Sequence, residues 1–112
     1  MYITLAEETL NILNKHGKSE KDIKWIGCKK FTIPIDEFWK QAQKRYDDSY
    51  GIIEVMPDLI IVGEDFWLER AEYDGAEWWE YKEFPQMPKM IIPNAISIFT
   101  NYHDHYLEDF VI

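Results

Sequence analysis

His103-Asp104-His105 is where this sequence comes nearest to metal chemistry. A two-residue spacing places both imidazoles on one side of an extended strand, where they could share a zinc ion. Asp109, Glu108 or His16 would have to supply a third ligand. On a helix the two rings point about 200° apart and cannot meet on one ion. Ala95, Ile98, Phe99, Tyr102 and Tyr106 fit helical spacing, against a strand-like alternation at Ile96-Ser97-Ile98. Helix is the favoured state over about 95–106. His103 and His105 are therefore expected as solvent-facing side chains, with a small metal-dependent enzyme built on them as the alternative.

Eight carboxylates lie between Glu64 and Glu83: Glu64, Asp65, Glu69, Glu72, Asp74, Glu77, Glu80 and Glu83. Arg70 and Lys82 are the cations among them, leaving a net charge of −6. Paired carboxylates can run glycoside hydrolysis when about 5 to 9.5 Å apart. That reaction also needs a deep sugar cleft, which a domain of this size rarely supplies. A solvated acidic surface is the simplest account, and an anionic recognition surface the next. The same segment holds Phe66, Trp67, Tyr73, Trp78, Trp79 and Tyr81. Proteins that stack nucleobases on such rings surround them with Lys and Arg, and here the surround is acidic. Core packing is expected for most of these rings and protein contact for the rest.

Cys28 lies between Gly27 and Lys29-Lys30, cations that could lower a thiol pKa. With no His close in sequence, it reads as a passive small residue. No glycine-rich phosphate loop, nucleophile elbow or His-Glu-x-x-His motif is present. No catalytic residue, cofactor or bound metal is expected.

The elements that must position these residues follow from periodicity. Thr4 with Glu7 makes a capping box, and Leu5, Thr9, Ile12, Leu13 and His16 continue at helical spacing to Gly17, predicting a helix over 5–16. Ile23 to Ile26 predicts a strand, with Phe31-Thr32-Ile33 as its hairpin partner. Ile35, Phe38, Trp39, Ala42 and Tyr46 predict a second helix over about 34–46, opened by Pro34. Ile52–Met56 and Leu59–Val62 read as strands. Phe66–Tyr73 and Ala76–Glu83 flank Asp74-Gly75, a strong two-residue hairpin signal. That turn would set Tyr73 opposite Ala76, Glu72 opposite Glu77, Arg70 opposite Trp79, Glu69 opposite Glu80 and Leu68 opposite Tyr81. One face would carry Trp67, Ala71, Tyr73 and Trp78, the other Phe66, Leu68, Trp79 and Tyr81. The fold class expected is α+β: a mostly antiparallel sheet of about four to six strands, with an aromatic hairpin, packed by two or three helices in a single domain over 1–112.

Composition narrows the function classes. The net charge is −9, but it is unevenly spread. Residues 15–45 hold nine cations and four anions, whereas residues 46–112 hold fifteen anions and three cations. The halves could neutralise each other across the fold, or set up a field that steers a partner. Direct nucleic-acid binding is not expected of so acidic a chain. One cysteine permits no intramolecular disulfide, and the apolar runs are too short to span a membrane. The expected setting is a reducing cytoplasm.

The run from Asp58 to Gly63, then Phe66-Trp67-Leu68-Glu69-Arg70, then Glu72 to Lys82 resembles small proteins of bacteriophages and other mobile elements of Gram-positive bacteria. The resemblance covers about residues 23–84. That group has no established catalytic residues, so none carries over. It implies a non-enzymatic protein of mobile-element origin. With the acidic charge, the expected activity is binding to a basic protein of the bacterial host, in whose cytoplasm the chain would act, with nucleic-acid-binding proteins among the candidates. Inhibition of a defence nuclease such as a CRISPR effector, by occupying its nucleic-acid groove, is one form of this. The expected contact set is Glu69, Glu72, Glu77 and Glu80 with an exposed ring among Trp67, Trp78 and Trp79. A self-associating virion or assembly component, with homodimer formation, is the alternative.

Overall fold

The computed structural model of the chain describes residues 1–92, 97–100 and 106–109. Strand β1 (Tyr2–Thr4) leads directly into helix α1 (Leu5–Lys15). The Thr4 side chain accepts the Glu7 backbone N–H at 3.0 Å, satisfying one of the orphan donors of the first turn. At the other end Gly17 takes φ 71°, and the Lys18 N–H bonds the Leu13 carbonyl at 2.8 Å to close the helix. Strands β2 (Ile23–Gly27) and β3 (Thr32–Ile33) follow, then helix α2 (Ile35–Gln41) and strand β4 (Arg45–Asp47). Strands β5 (Ile60–Gly63), β6 (Phe66–Tyr73) and β7 (Ala76–Glu83) complete the series.

Five strands form an antiparallel sheet in the order β3-β2-β5-β6-β7, and β1 pairs with β4 in a second, two-stranded sheet. The class is α+β, as expected. The hairpin forms in the anticipated register, Tyr73 opposite Ala76 through Phe66 opposite Glu83. Asp74 at φ 51° and Gly75 at φ 86° give the two positive angles that a tight hairpin turn with the right twist requires.

The core follows from strand alternation. Ile33, Ile26, Ile61, Leu68 and Tyr81 pair in one row across all five strands. Ile26, Ile61 and Leu68 in this row are fully buried, together with Leu13 of α1, and Phe38 of α2 is buried beside them. Each such side chain contributes about 1.5–3 kcal/mol by leaving water. The residues between them point to the opposite, outer face of the sheet. One outer row is Trp25, Val62, Trp67 and Lys82, and the next is Gly27, Ile60, Glu69 and Glu80. Gly27 has no room for a side chain, because a Cβ there would run into the Phe31 carbonyl and the Thr32 backbone.

Three expectations are corrected. The second helix ends at Gln41 rather than near 46. The carbonyl of its C-cap residue, Ala42, accepts the Ala6 N–H at 2.8 Å, and Tyr46 is drawn into β4 opposite Ile3. Ile52–Met56 is not a strand. The Glu77 carboxylate takes the N–H groups of Glu54 and Val55, at 2.9 and 3.2 Å, in place of a strand partner. Beyond the hairpin, residues 97–100 are not helical, and the Ser97 hydroxyl accepts the Phe99 N–H at 3.2 Å in a local turn. The rest of the helix expected over 95–106, with His103 and His105, lies outside the described residues, apart from Tyr106. No helix among the described residues is long and apolar enough to cross a membrane.

Candidate protein-binding face

The residues singled out from the sequence divide between the two faces of the β6–β7 hairpin. Glu77 and Arg70 share the inner face, and so does Trp79. Glu77 is 3 % exposed, Trp79 is 3 % exposed, and the Arg70 side chain is also 3 % exposed. Arg70 bonds Glu8 at 2.8 Å and Glu77 at 3.0 Å, donates to the Tyr46 hydroxyl at 3.1 Å, and lies 4.7 Å from the centre of the Trp79 ring. Tyr46 donates to the Glu8 carboxylate at 2.6 Å. Trp79 donates from its indole to the Thr9 hydroxyl at 2.9 Å, and the Thr9 hydroxyl in turn donates to the Leu5 carbonyl at 2.7 Å. Burial pulls the Arg70 pKa down, but hydrogen bonding and charge from Glu8 outweigh it, and the guanidinium is held above its usual value. Burial, then the bond to Glu8, raises the Tyr46 phenol well above 10.0.

This cluster has the composition of a catalytic centre and the closure of a structural one. Apart from the Arg70 Nε, which is buried with no hydrogen-bond partner, its groups satisfy one another, tying α1, β4, β6, β7 and the 54–55 backbone together. Glu77 and Trp79, expected at a partner surface, are instead inside the molecule. Glu72, opposite Glu77 on the same face, lies beyond the core and is exposed. Turning Glu77 inward onto Arg70 removes the like-charge conflict that their pairing implies.

The outer face keeps the other expected residues together. Trp67 and Trp78 bracket the Glu69–Glu80 pair, and Trp78 is 38 % exposed, whereas Trp67, Glu69 and Glu80 are half-buried. The Trp67 indole donates to Glu69 at 3.3 Å, and its ring packs 5.2 Å from Phe84. Lys82 is the cation of this patch; the exposed Glu72 and Glu83 belong to the opposite face of the hairpin, and Asp74 to its turn. Tyr81 donates to Glu83 at 3.0 Å; burial, followed by that bond, lifts its phenol to about 12. A surface on which two tryptophans flank a pair of carboxylates can bury a ring against a partner and pair with its cations.

Charge segregation survives folding. Among the described residues, Lys18–Asp65 at 3.3 Å and Lys44–Glu54 at 3.9 Å are the ion pairs joining the basic 15–45 stretch to the acidic remainder. No group of three or more His, Cys, Asp or Glu among the described residues could hold a metal ion. Cys28 is half-buried and lines an apolar cleft of about 570 Å³ beside α2, a feature the sequence did not announce. No family model matches this chain, and no curated protein or solved structure matches it.

Proposed function

We propose that this chain is a binding protein without catalytic activity, and that it engages a basic surface of a partner through the outer face of β6 and β7. The observation that carries this is the patch formed by Trp67, Glu69, Trp78 and Glu80. Its rings are kept partly in solvent although the same hairpin buries Trp79 completely enough to satisfy its indole. Long-range attraction from the acidic half speeds encounter, and a tryptophan buried on contact slows release. A groove that binds nucleic acid fits the chemistry, because carboxylates there take the place of phosphates. The resemblance to phage and mobile-element proteins supports a bacterial host nuclease, such as a CRISPR effector, as that partner.

The test is capture from bacterial lysate on the immobilised wild-type chain and on a Glu69→Lys/Glu80→Lys variant. Basic nucleic-acid-binding proteins should be retained by the first, lost from the second, and displaced by added DNA or RNA. Equal capture by both proteins, or capture indifferent to nucleic acid, would remove the proposal.

A further inference from the structure

From Lys82 onward, every described residue is exposed, and the stretch Phe84–Ile92 carries five large apolar side chains in solvent. Met87 is 88 % exposed and Ile91 is 79 % exposed. Pro85 and Pro88 prevent this stretch from forming a helix or a central strand of its own, so its apolar side chains cannot bury one another. The prolines also restrict it to extended conformations in the free state, which lowers the entropy lost on docking. Its one charge is Lys89, the only cation that follows Lys82 in the sequence.

The cleft beside α2 has the complementary character. Its volume of about 570 Å³ is that of a ligand site. Phe38 forms part of its lining, and Phe31, Ile33, Val55, Met56 and Leu59 line it as well. Phe31 and Met56 remain largely exposed there. Asp58 lies at the cleft too, exposed and with no ion-pair partner among the described residues, while the neighbouring Glu54 is already engaged by Lys44. The arm leaves from β7, at one edge of the sheet. The cleft lies against Gly27 and Ile33, at the other edge, and the arm does not occupy it.

We propose that Phe84–Ile92 is a docking arm that occupies this cleft in a second copy of the chain, with Met90 and Ile91 against Phe31 and Leu59 and Lys89 paired with Asp58. Arm and cleft are different patches of one molecule, so each copy both gives an arm and receives one. Apart from Phe84 at its root, which packs on Trp67, the arm and its cleft are separate from the acidic outer face, and the proposal stands or falls independently of it.

The experiment is light scattering of the full chain over a wide concentration range. The wild type should exceed single-chain mass and gain mass with concentration. Phe31→Glu in the cleft and Ile91→Asp in the arm each alter an exposed residue and should leave the fold intact. Each should weaken self-association about tenfold or more, the equivalent of one lost anchoring contact. Mixing the two variants should restore association, because one retains an intact arm and the other an intact cleft. Asp58→Lys should weaken association and Lys89→Glu in the same chain should restore it. A wild type that remains a single chain at every concentration overturns the proposal, as do variants that associate like the wild type or a mixture that stays monomeric.

Discussion

At the scale of single residues, Arg70 separates the two meanings a carboxylate can have in this chain. Glu77 is held between its guanidinium and the N–H groups of Glu54 and Val55, whereas Glu69 on the same hairpin faces outward. Glu77→Ala should therefore cost about 3–5 kcal/mol, because it leaves a buried cation half-paired and two backbone donors without an acceptor. Glu69→Ala should stay within about 0.5 kcal/mol. Urea unfolding of the two variants checks this, and similar losses in both would contradict the assignment. Tyr46 makes a second case. Its phenol titrates higher in the folded chain than its ordinary 10.0. Above pH 10 the unfolded chain loses a proton that the folded chain keeps, so stability falls by about 1.4 kcal/mol per pH unit until the folded phenol ionises. Below pH 10 the contribution is complete. Tyr46→Phe should cost about 1.5–3 kcal/mol near neutrality through its lost charge-assisted bonds, and should flatten the alkaline decline. A decline as steep as that of the wild type would point to other groups. Arg70 was the legible clue to the cluster: it is one of two cations in the acidic run and falls on the face shared by Phe66 and Leu68. Glu8 and Tyr46 were not legible, since nothing local ties them to residues so distant in sequence.

Among elements, the β6–β7 hairpin was readable to the residue, because turn chemistry fixes register and register fixes every pairing. Gly75→Ala should lower stability by about 1–2 kcal/mol, since a Cβ is poorly tolerated at its φ of 86°. Asp74→Asn should be nearly neutral, as Asn also accepts the left-handed region. Thermal melts of the pair give the comparison, and a tolerated Gly75→Ala would mean that the turn relaxes to another type. The second helix was over-extended because Tyr46 sits at helical spacing by coincidence; its burial comes from β4 and Glu8. The segment 52–56 has the composition of a strand, yet a side-chain carboxylate from β7 claims its donors. β1 and β4 are three residues each, too short for periodicity to register.

For the molecule as a whole, charge polarity was visible in the sequence, but whether folding would cancel it was not, and the two ion pairs across the divide leave most of it standing. The rings at the candidate face were likewise legible as a group, while their sorting into buried Trp79 and half-exposed Trp67 and Trp78 needed the sheet. The Arg70 cluster also carries a consequence for how the chain folds. It joins Tyr46 to Glu8 across 38 residues and Arg70 to Glu8 across 62, while Trp79 reaches Thr9 across 70. The hairpin closes locally, on the order of 1–10 μs for such elements, and carries Arg70, Glu77 and Trp79 already aligned. The N-terminal helix must then find them by a long-range search whose loop entropy is lost before any bond is gained. These contacts are therefore expected on the late side of the barrier, where they would slow unfolding far more than they speed folding. The expected outcome is that the lifetime of the folded chain follows how long α1 stays docked on that hairpin, so Thr9→Val should speed unfolding in stopped-flow measurements while leaving the folding rate nearly unchanged.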